Sequence, residues 1–217
     1  MLRVILVSIV LTVVSFQVVH SQANIGFVTG GDLYQRYVNP EDGTGFDQSA
    51  GSAILNSTLG LKTWLGTRKV ALSIESYVNL GVLGLNVEEY YGLGTIHIPV
   101  MAKLNFGGLT GLGDLKRFGY YIGGGWQINK TELFGLNDKA QDRGIQRPYY
   151  NTYVVEIGTG RGNKSKMTEF FVRFGLNPEM PSNSLSIGLN TSYSFPFMKM
   201  PSFNVTPEKD ERDVIKM

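Results

Sequence analysis

The stretch LSIGLNTSYSFPF, residues 185–197, decides how the chain folds. Its alternate positions are Leu185, Ile187, Leu189, Thr191, Tyr193, Phe195 and Phe197, all apolar or aromatic apart from the one Thr. Between them lie Ser186, Gly188, Asn190, Ser192, Ser194 and Pro196, none of them charged. A period of two places these sets on opposite faces of a β-strand. The greasy face needs either a protein core or lipid to cover it.

The same pattern recurs upstream. In residues 70–82 an apolar set, Val70, Leu72, Ile74, Val78, Leu80 and Val82, alternates with Ala71, Ser73, Glu75, Tyr77, Asn79 and Gly81. In residues 95–106 Ile96, Ile98, Val100, Ala102, Leu104 and Phe106 oppose Thr95, His97, Pro99, Met101, Lys103 and Asn105. Phe170, Val172, Phe174 and Leu176 alternate with Glu169, Phe171, Arg173 and Gly175. Weaker strands are predicted from Asn24, from Ala53 (with Leu55, Leu59, Leu61 and Leu65 on one face), from Tyr120 and from Tyr149. That makes about eight strands. Their links alternate long and short, save GGLTGLGDLKR (107–117), which is longer than the pattern would like. Sequential antiparallel hairpins of this kind form a meander, and eight strands close into a small barrel.

Two barrels fit. A soluble, lipocalin-like carrier turns its apolar face inward around a ligand. A transmembrane barrel turns it outward to lipid and fills its interior with polar groups. Three features favour the membrane. The polar face of the last strand carries no charge, whereas a water-facing surface carries many. The mid-strand charges Lys62, Glu75, Lys103, Glu156, Glu169 and Arg173 are few and of both signs, as an enclosed, mutually pairing interior needs. Aromatics gather near strand ends: Trp64, Tyr90, Tyr91, Phe106, Tyr120, Tyr121, Tyr149, Tyr150, Tyr193, Phe195 and Phe197. Rings at two levels form interfacial girdles.

Composition agrees. The 217 residues include 27 Gly and 12% aromatics, and only 18% are charged, against about a quarter in soluble domains. A net charge of +2 with no basic stripe argues against nucleic acid as a partner. There is no Cys, which excludes disulfides, Cys-based zinc sites and a Cys nucleophile. Residues 1–23, MLRVILVSIVLTVVSFQVVHSQA, have an early Arg3, an apolar run and small residues at Ser21 and Ala23. That is the pattern of a signal peptide, cleaved after Ser21 or Ala23. The expected organisation is therefore a leader (1–23), one barrel (24–197) and a polar tail (198–217).

The stretch TIHIPVMAKLNF (95–106) is a strand with Pro after an alternating apolar start and Lys before its end. With FGYYIGGGWQIN (118–129) and SIGLNTSYSFPF (186–197), it resembles the PorT-like small outer-membrane β-barrels of Bacteroidetes-type bacteria. The resemblance covers most of the chain beyond the leader. It implies an outer-membrane location, insertion by the barrel-assembly machinery, and the aromatic strand end Tyr193, Phe195 and Phe197 as the assembly signal. The chain departs from it by continuing past Phe197 to Met217, so that signal is not C-terminal. Some members of that family are linked to protein secretion.

Beyond the leader there is a single histidine, His97, so no multi-His metal site can form and no cofactor is expected. His97 falls on the polar face, where a catalytic role beside a nucleophile competes with that of a packed interior side chain, with Glu75 on the neighbouring strand as its candidate partner. The interior network is expected to comprise Glu75, His97, Lys103, Glu156, Glu169 and Arg173. Eight strands leave a lumen that side chains just fill, so a plugged interior is favoured over a pore. The expectation is an all-β, eight-stranded antiparallel up-and-down transmembrane β-barrel that is not an enzyme. It would act as a membrane scaffold, a surface-binding protein or an accessory subunit of an outer-membrane complex, a secretion-related one among the options. Its partners would be outer-membrane lipid, the assembly machinery and other outer-membrane or periplasmic proteins. The alternatives are a lipocalin-like carrier and a barrel hydrolase or acyltransferase using His97.

Overall fold

A computed structural model describes residues 22–40, 50–84, 94–136, 138–142, 144, 147–179 and 181–195. Ten strands run in chain order: β1 (Gln22–Val38), β2 (Ala50–Ile54), β3 (Ser57–Gly66), β4 (Val70–Gly81), β5 (Leu83–Gly84), β6 (Thr95–Gly107), β7 (Arg117–Thr131), β8 (Tyr150–Gly162), β9 (Lys166–Asn177) and β10 (Ser182–Ser194). A 3-10 turn covers Gly108–Thr110, and one short helix, α1, covers Asp138–Asp142. The sheet runs β10-β9-β8-β7-β6-β4-β3-β1, every pair antiparallel, and β10 pairs back onto β1. The barrel is therefore closed and has eight staves. Closure leaves none of these eight as an open edge, which a lipid environment demands because it offers no water to unpaired backbone groups.

The two extra strands prolong staves rather than add to them. β2 pairs with the upper part of β1 (Tyr34↔Ile54 to Val38↔Ala50), and β3 with its lower part. The single strand expected from Ala53 is thus broken at Leu55–Asn56. Leu55 adopts a left-handed backbone (φ 53°), and the Asn56 N–H donates to the Asp32 carbonyl at 2.9 Å. The register of β1 against β10 slips at the same level, between Asp32 and Tyr34. Such bulges tighten the local twist, which a narrow barrel needs. β5 similarly continues β4 and pairs with β2. β1 also begins at Gln22, inside the segment expected to be leader, with Gln22 and Ala23 paired to Gly66 and Leu65.

The barrel has unlike ends. At one, the links are 67–69 between β3 and β4, 108–116 between β6 and β7, and 163–165 between β8 and β9. β1 starts and β10 finishes at this short-turn end. The links at the other, long-loop end are mostly longer. The staves have 10 to 17 residues, against about 9–11 needed to cross a bilayer at a tilt. The longer ones therefore reach past the apolar layer.

Candidate functional site: the filled lumen

Alternation resolves into an outside and an inside. Leu59, Leu61, Leu65, Leu72, Ile74, Leu80, Val100, Leu104, Ile122, Val155, Ile157, Phe174 and Leu176 are all exposed on the outer face. The inner face carries Lys62, Glu75, Lys103, Glu156, Glu169 and Arg173, each no more than 2% exposed. A soluble carrier would need the reverse arrangement, so the lipocalin-like alternative falls. Rings sit at both margins of the belt. At the short-turn end Phe27 stacks on Tyr193 (5.1 Å) and Phe106 on Tyr120 (4.9 Å). Toward the long-loop end Trp126, Phe134, Tyr149 and Tyr153 are exposed. Trp64, Tyr121 and Tyr150, expected among the girdles, instead point inward and are buried. Closed barrels with an apolar outer belt and a polar inside are the spanning β-architecture of bacterial outer membranes. The protein is a membrane-spanning barrel of that type.

The charged residues form one alternating chain across the lumen. Glu169 contacts Lys62 (2.5 Å), Lys62 contacts Glu75 (3.1 Å), and Glu75 contacts Lys103 (2.5 Å). Lys103 contacts Glu156 (2.5 Å), and Glu156 contacts Arg173 (2.6 Å). The Lys103–Glu75 approach is a charge contact outside hydrogen-bond geometry, whereas Lys103 donates to Glu156 directly. Three cations thus meet three carboxylates, which is how so many charges can leave water together. Tyr121 donates its hydroxyl hydrogen to Glu156, and Arg173 donates to Tyr77. Lys103 also lies 4.3 Å from the Tyr121 ring centroid. Gly123 faces Lys103 across the β6–β7 pair, and a Cβ there would come within 2.5 Å of the Lys103 Cγ. The glycine makes room for the long cation.

His97 stands apart from this chain. Its Nδ1–H donates to the Asn129 Oδ1 (2.7 Å), and its Nε2 accepts from the Gln35 Nε2 (2.8 Å), the tautomer following from these partners. Gln127 donates to the same Asn129 Oδ1, and Asn56 donates to Gln35. These contacts of His97 are all with amides. Glu75, its expected partner, is engaged with Lys62 and Lys103 instead. The register explains this: His97 lies opposite Asn79, four residues along β4 from Glu75.

The long link 107–117 forms a plug. Leu109 and Leu112 are buried at the short-turn end against Trp64, Ala71, Tyr121, Met167 and Phe171. Gly111, at φ 70°, passes so close to Trp64 that a Cβ would lie 2.9 Å from the ring. Backbone and side chains pin the plug down. The Asn24 amide donates to the Gly111 carbonyl (2.8 Å), and the Lys164 N–H donates to the Gly113 carbonyl (2.7 Å). Asp114 pairs with Arg68 (3.2 Å) and with Lys164. The Lys164 hydrogen bond holds the Asp114 carboxyl below the usual carboxylate range, assisted by the nearby charges. At the other end, Arg147 and Glu132 form a buried pair (2.9 Å), and Thr131 donates to Asn39 (2.7 Å).

Sequence reasoning omitted Lys62 from the network although it noted the charge, set Tyr77 on the face of Glu75 without giving it a partner, assigned Tyr121 to the girdle, and did not foresee the plug. The parity of β3 is the signal that would have placed Lys62: it shares a face with Trp64 and opposes Leu61 and Leu65. Of the proposed assembly signal, Tyr193 and Phe195 lie against Phe27 at the β1–β10 seam, and the Phe195 N–H donates to the Ile25 carbonyl at 2.9 Å. Phe197 lies outside the described residues, as do Tyr90 and Tyr91.

No protein-family model matches the sequence, and no curated protein matches it. Among solved structures the chain is similar to Ail, the attachment invasion locus protein of Yersinia pestis, at 9% identity and a TM-score of 0.41, over 80% of this chain and 99% of that one. It is similar to the Neisserial surface protein A at 6% identity and a TM-score of 0.43, over 81% of this chain and 99% of that one. It is also similar to the outer membrane protein OprG from Pseudomonas aeruginosa, at 14% identity and a TM-score of 0.43, over 82% and 99% of the two chains.

Proposed function

We propose that the protein is a non-conducting, non-enzymatic outer-membrane scaffold. Its long-loop end serves surface binding or docking within a larger outer-membrane assembly. One observation carries this reading: the lumen is filled, by a six-charge alternating chain below and amides above, and the plug closes its short-turn end. A barrel whose inside is committed to holding itself together offers its loops for function. His97, enclosed among amides, has neither a nucleophile nor a carboxylate beside it in its hydrogen bonds. Export by the leader, insertion by the barrel-assembly machinery through the aromatic end of β10, and kinship with the PorT-like barrels of Bacteroidetes belong to the same proposal. Cleavage after Ser21 leaves β1 whole, since the strand begins at Gln22.

The test is fractionation with a gel-shift assay, followed by planar-bilayer recording. The expected result is a detergent-insoluble membrane protein that migrates differently when unboiled and gives no stepwise conductance. A soluble protein without a heat-modifiable form removes the membrane reading. Steady channel conductance removes the scaffold reading and leaves a pore.

A further inference from the structure

The two ends of the barrel differ in charge as well as in loop length. At the short-turn end, the β3–β4 turn exposes Arg68 and Lys69, and the plug leads out through Lys116 and Arg117. The β8–β9 hairpin exposes Arg161, Lys164 and Lys166. Among the described residues the only exposed carboxylate facing this set is Asp114, which Arg68 and Lys164 already hold. Five cations remain with no salt bridge. The four links at the opposite end, 39–49, 85–94, 132–149 and 178–181, contain nine carboxylates, among them Glu41, Asp42, Asp47, Glu88 and Glu89, against three cations, Lys139, Arg143 and Arg147. The chain as a whole is nearly neutral at +2, so the asymmetry is one of placement.

The cations also sit at a particular height. Lys166 lies over the Tyr193 ring at 5.2 Å, and Arg161 is paired across the strands with the exposed Phe118. Each has a long apolar stem and stands beside a ring at the short-turn margin of the greasy belt. That is the posture of side chains that snorkel to a bilayer's phosphate level.

Resting on the membrane-spanning reading above, we propose that the short-turn end is a binding ring for anionic phospholipid headgroups of the leaflet it faces. The ring holds phosphates through Arg117, Arg161 and Lys166, with Lys69 and Lys116 completing the field. Clustered Lys and Arg beside a span are drawn to a negative lipid surface and act within a Debye length of it. The guanidinium groups of Arg117 and Arg161 add the bidentate geometry that phosphate favours. The ring fixes the depth and the orientation of the barrel, with the acidic loops on the far side.

The experiment uses the full chain, folded in a neutral detergent and checked by its heat-modifiable band. It is exposed to equal amounts of phosphatidylglycerol and phosphatidylcholine, and the retained lipid is counted by native mass spectrometry. The expected result is a preference for phosphatidylglycerol of about fivefold or more, as several juxtamembrane cations together would produce. It should fall by at least half in the triple variant Arg117→Gln, Arg161→Gln, Lys166→Gln, which keeps only the field of Lys69 and Lys116 and whose gel shift stays unchanged because none of the three holds the plug. Salt at about 0.5 M should weaken the preference in the wild type. Equal retention of both lipids by the folded wild type, or an unreduced preference in the triple variant, overturns the proposal and leaves the ring to an acidic protein segment. Failure to form a heat-modifiable band or to retain any lipid would instead overturn the membrane reading itself.

Discussion

The lumen toward the short turns and the lumen toward the long loops are filled by different chemistry. The lower part combines apolar packing around Leu109 and Leu112 with the chain from Glu169 to Arg173, in which every charge has an opposite neighbour. The upper part is mostly amide and imidazole, Gln35, Asn56, His97, Gln127 and Asn129, donor to acceptor, with the buried Asp32 beside Asn56 and the Glu132–Arg147 pair as its charges. Tyr77, Met101 and Val154 form a small apolar cluster of their own, and Arg173 joins the two parts by donating to the Gln127 Oε1 at 3.5 Å. The lower part cannot lose one member cheaply, because a buried charge without its partner is costly. Amides can rotate and exchange partners, so the upper part tolerates change better. The tightly charge-paired portion lies where β1 starts and β10 finishes, and the amide-rich portion lies under the loops.

The sharpest way to break this contrast is Lys103→Met. It leaves three buried carboxylates to share two cations, with Glu75 held only by Lys62 and Glu156 only by Arg173, and the folded barrel should lose about 3–5 kcal/mol in a reversible urea titration in detergent. Adding Glu75→Gln to it should recover part of that loss, and strict additivity would show that the chain is not one unit. Next is Leu109→Ala. Removing the plug's fully buried side chain should cost about 2–4 kcal/mol and expose Trp64 to a collisional quencher. An unchanged quenching constant would mean that the plug does not seal that end.

In the upper part, His97→Ala leaves Asn129 and Gln35 each short of a partner and should cost only about 1–3 kcal/mol. His97→Gln should restore most of it, since an amide can serve among amides. Neither change should alter any lipid-hydrolysing or acyl-transfer signal of the purified barrel. A signal lost in the folded His97→Ala protein would revive the enzyme alternative.

The smallest effect belongs to the clip at Asp114. Because it is exposed and screened, Asp114→Asn should cost well under about 1 kcal/mol. Its carboxyl titrates below the ordinary range, so its contribution is fully present above the unfolded-state value near 4. That contribution fades as pH falls through the lower, folded value. The variant should therefore match the wild type in strong acid and fall slightly behind it above about pH 4. A gap of constant size at every pH would show that the clip does not act through charge.

Much of the lumen was legible one strand at a time. Glu75, Lys103 and Arg173 each sit in a stretch whose neighbours alternate cleanly, and parity alone assigns their face. Lys62 was harder, because Gly60 and Thr58 share its face and say little. The partners were not legible at all. Whether Glu75 meets His97 or Lys103 depends on how β4 slides against β6, and a slip of a few residues exchanges one for the other. Trp64 and Tyr121 look like girdle residues because they lie near strand ends, and only the sense of the pleat shows that they turn inward.

The sequence by itself determined that this chain is a barrel of alternating strands and favoured a lipid-facing exterior. A two-residue period that puts Leu72, Ile74, Leu104 and Phe174 on one face and charges on the other leaves two outcomes, apolar face out or apolar face in, and the exposure of those residues in the folded barrel decides for the first. The tertiary structure alone decided how the inside is filled. Register selected the order of the six charges, closure brought β10 beside β1 and so Glu169 of β9 within reach of Lys62 on β3, and the link 107–117 turned inward because Leu109 and Leu112 found an apolar floor at Trp64, Met167 and Phe171. Local pattern governs which face a residue takes, but contacts between residues far apart in the chain exist only once the barrel has closed.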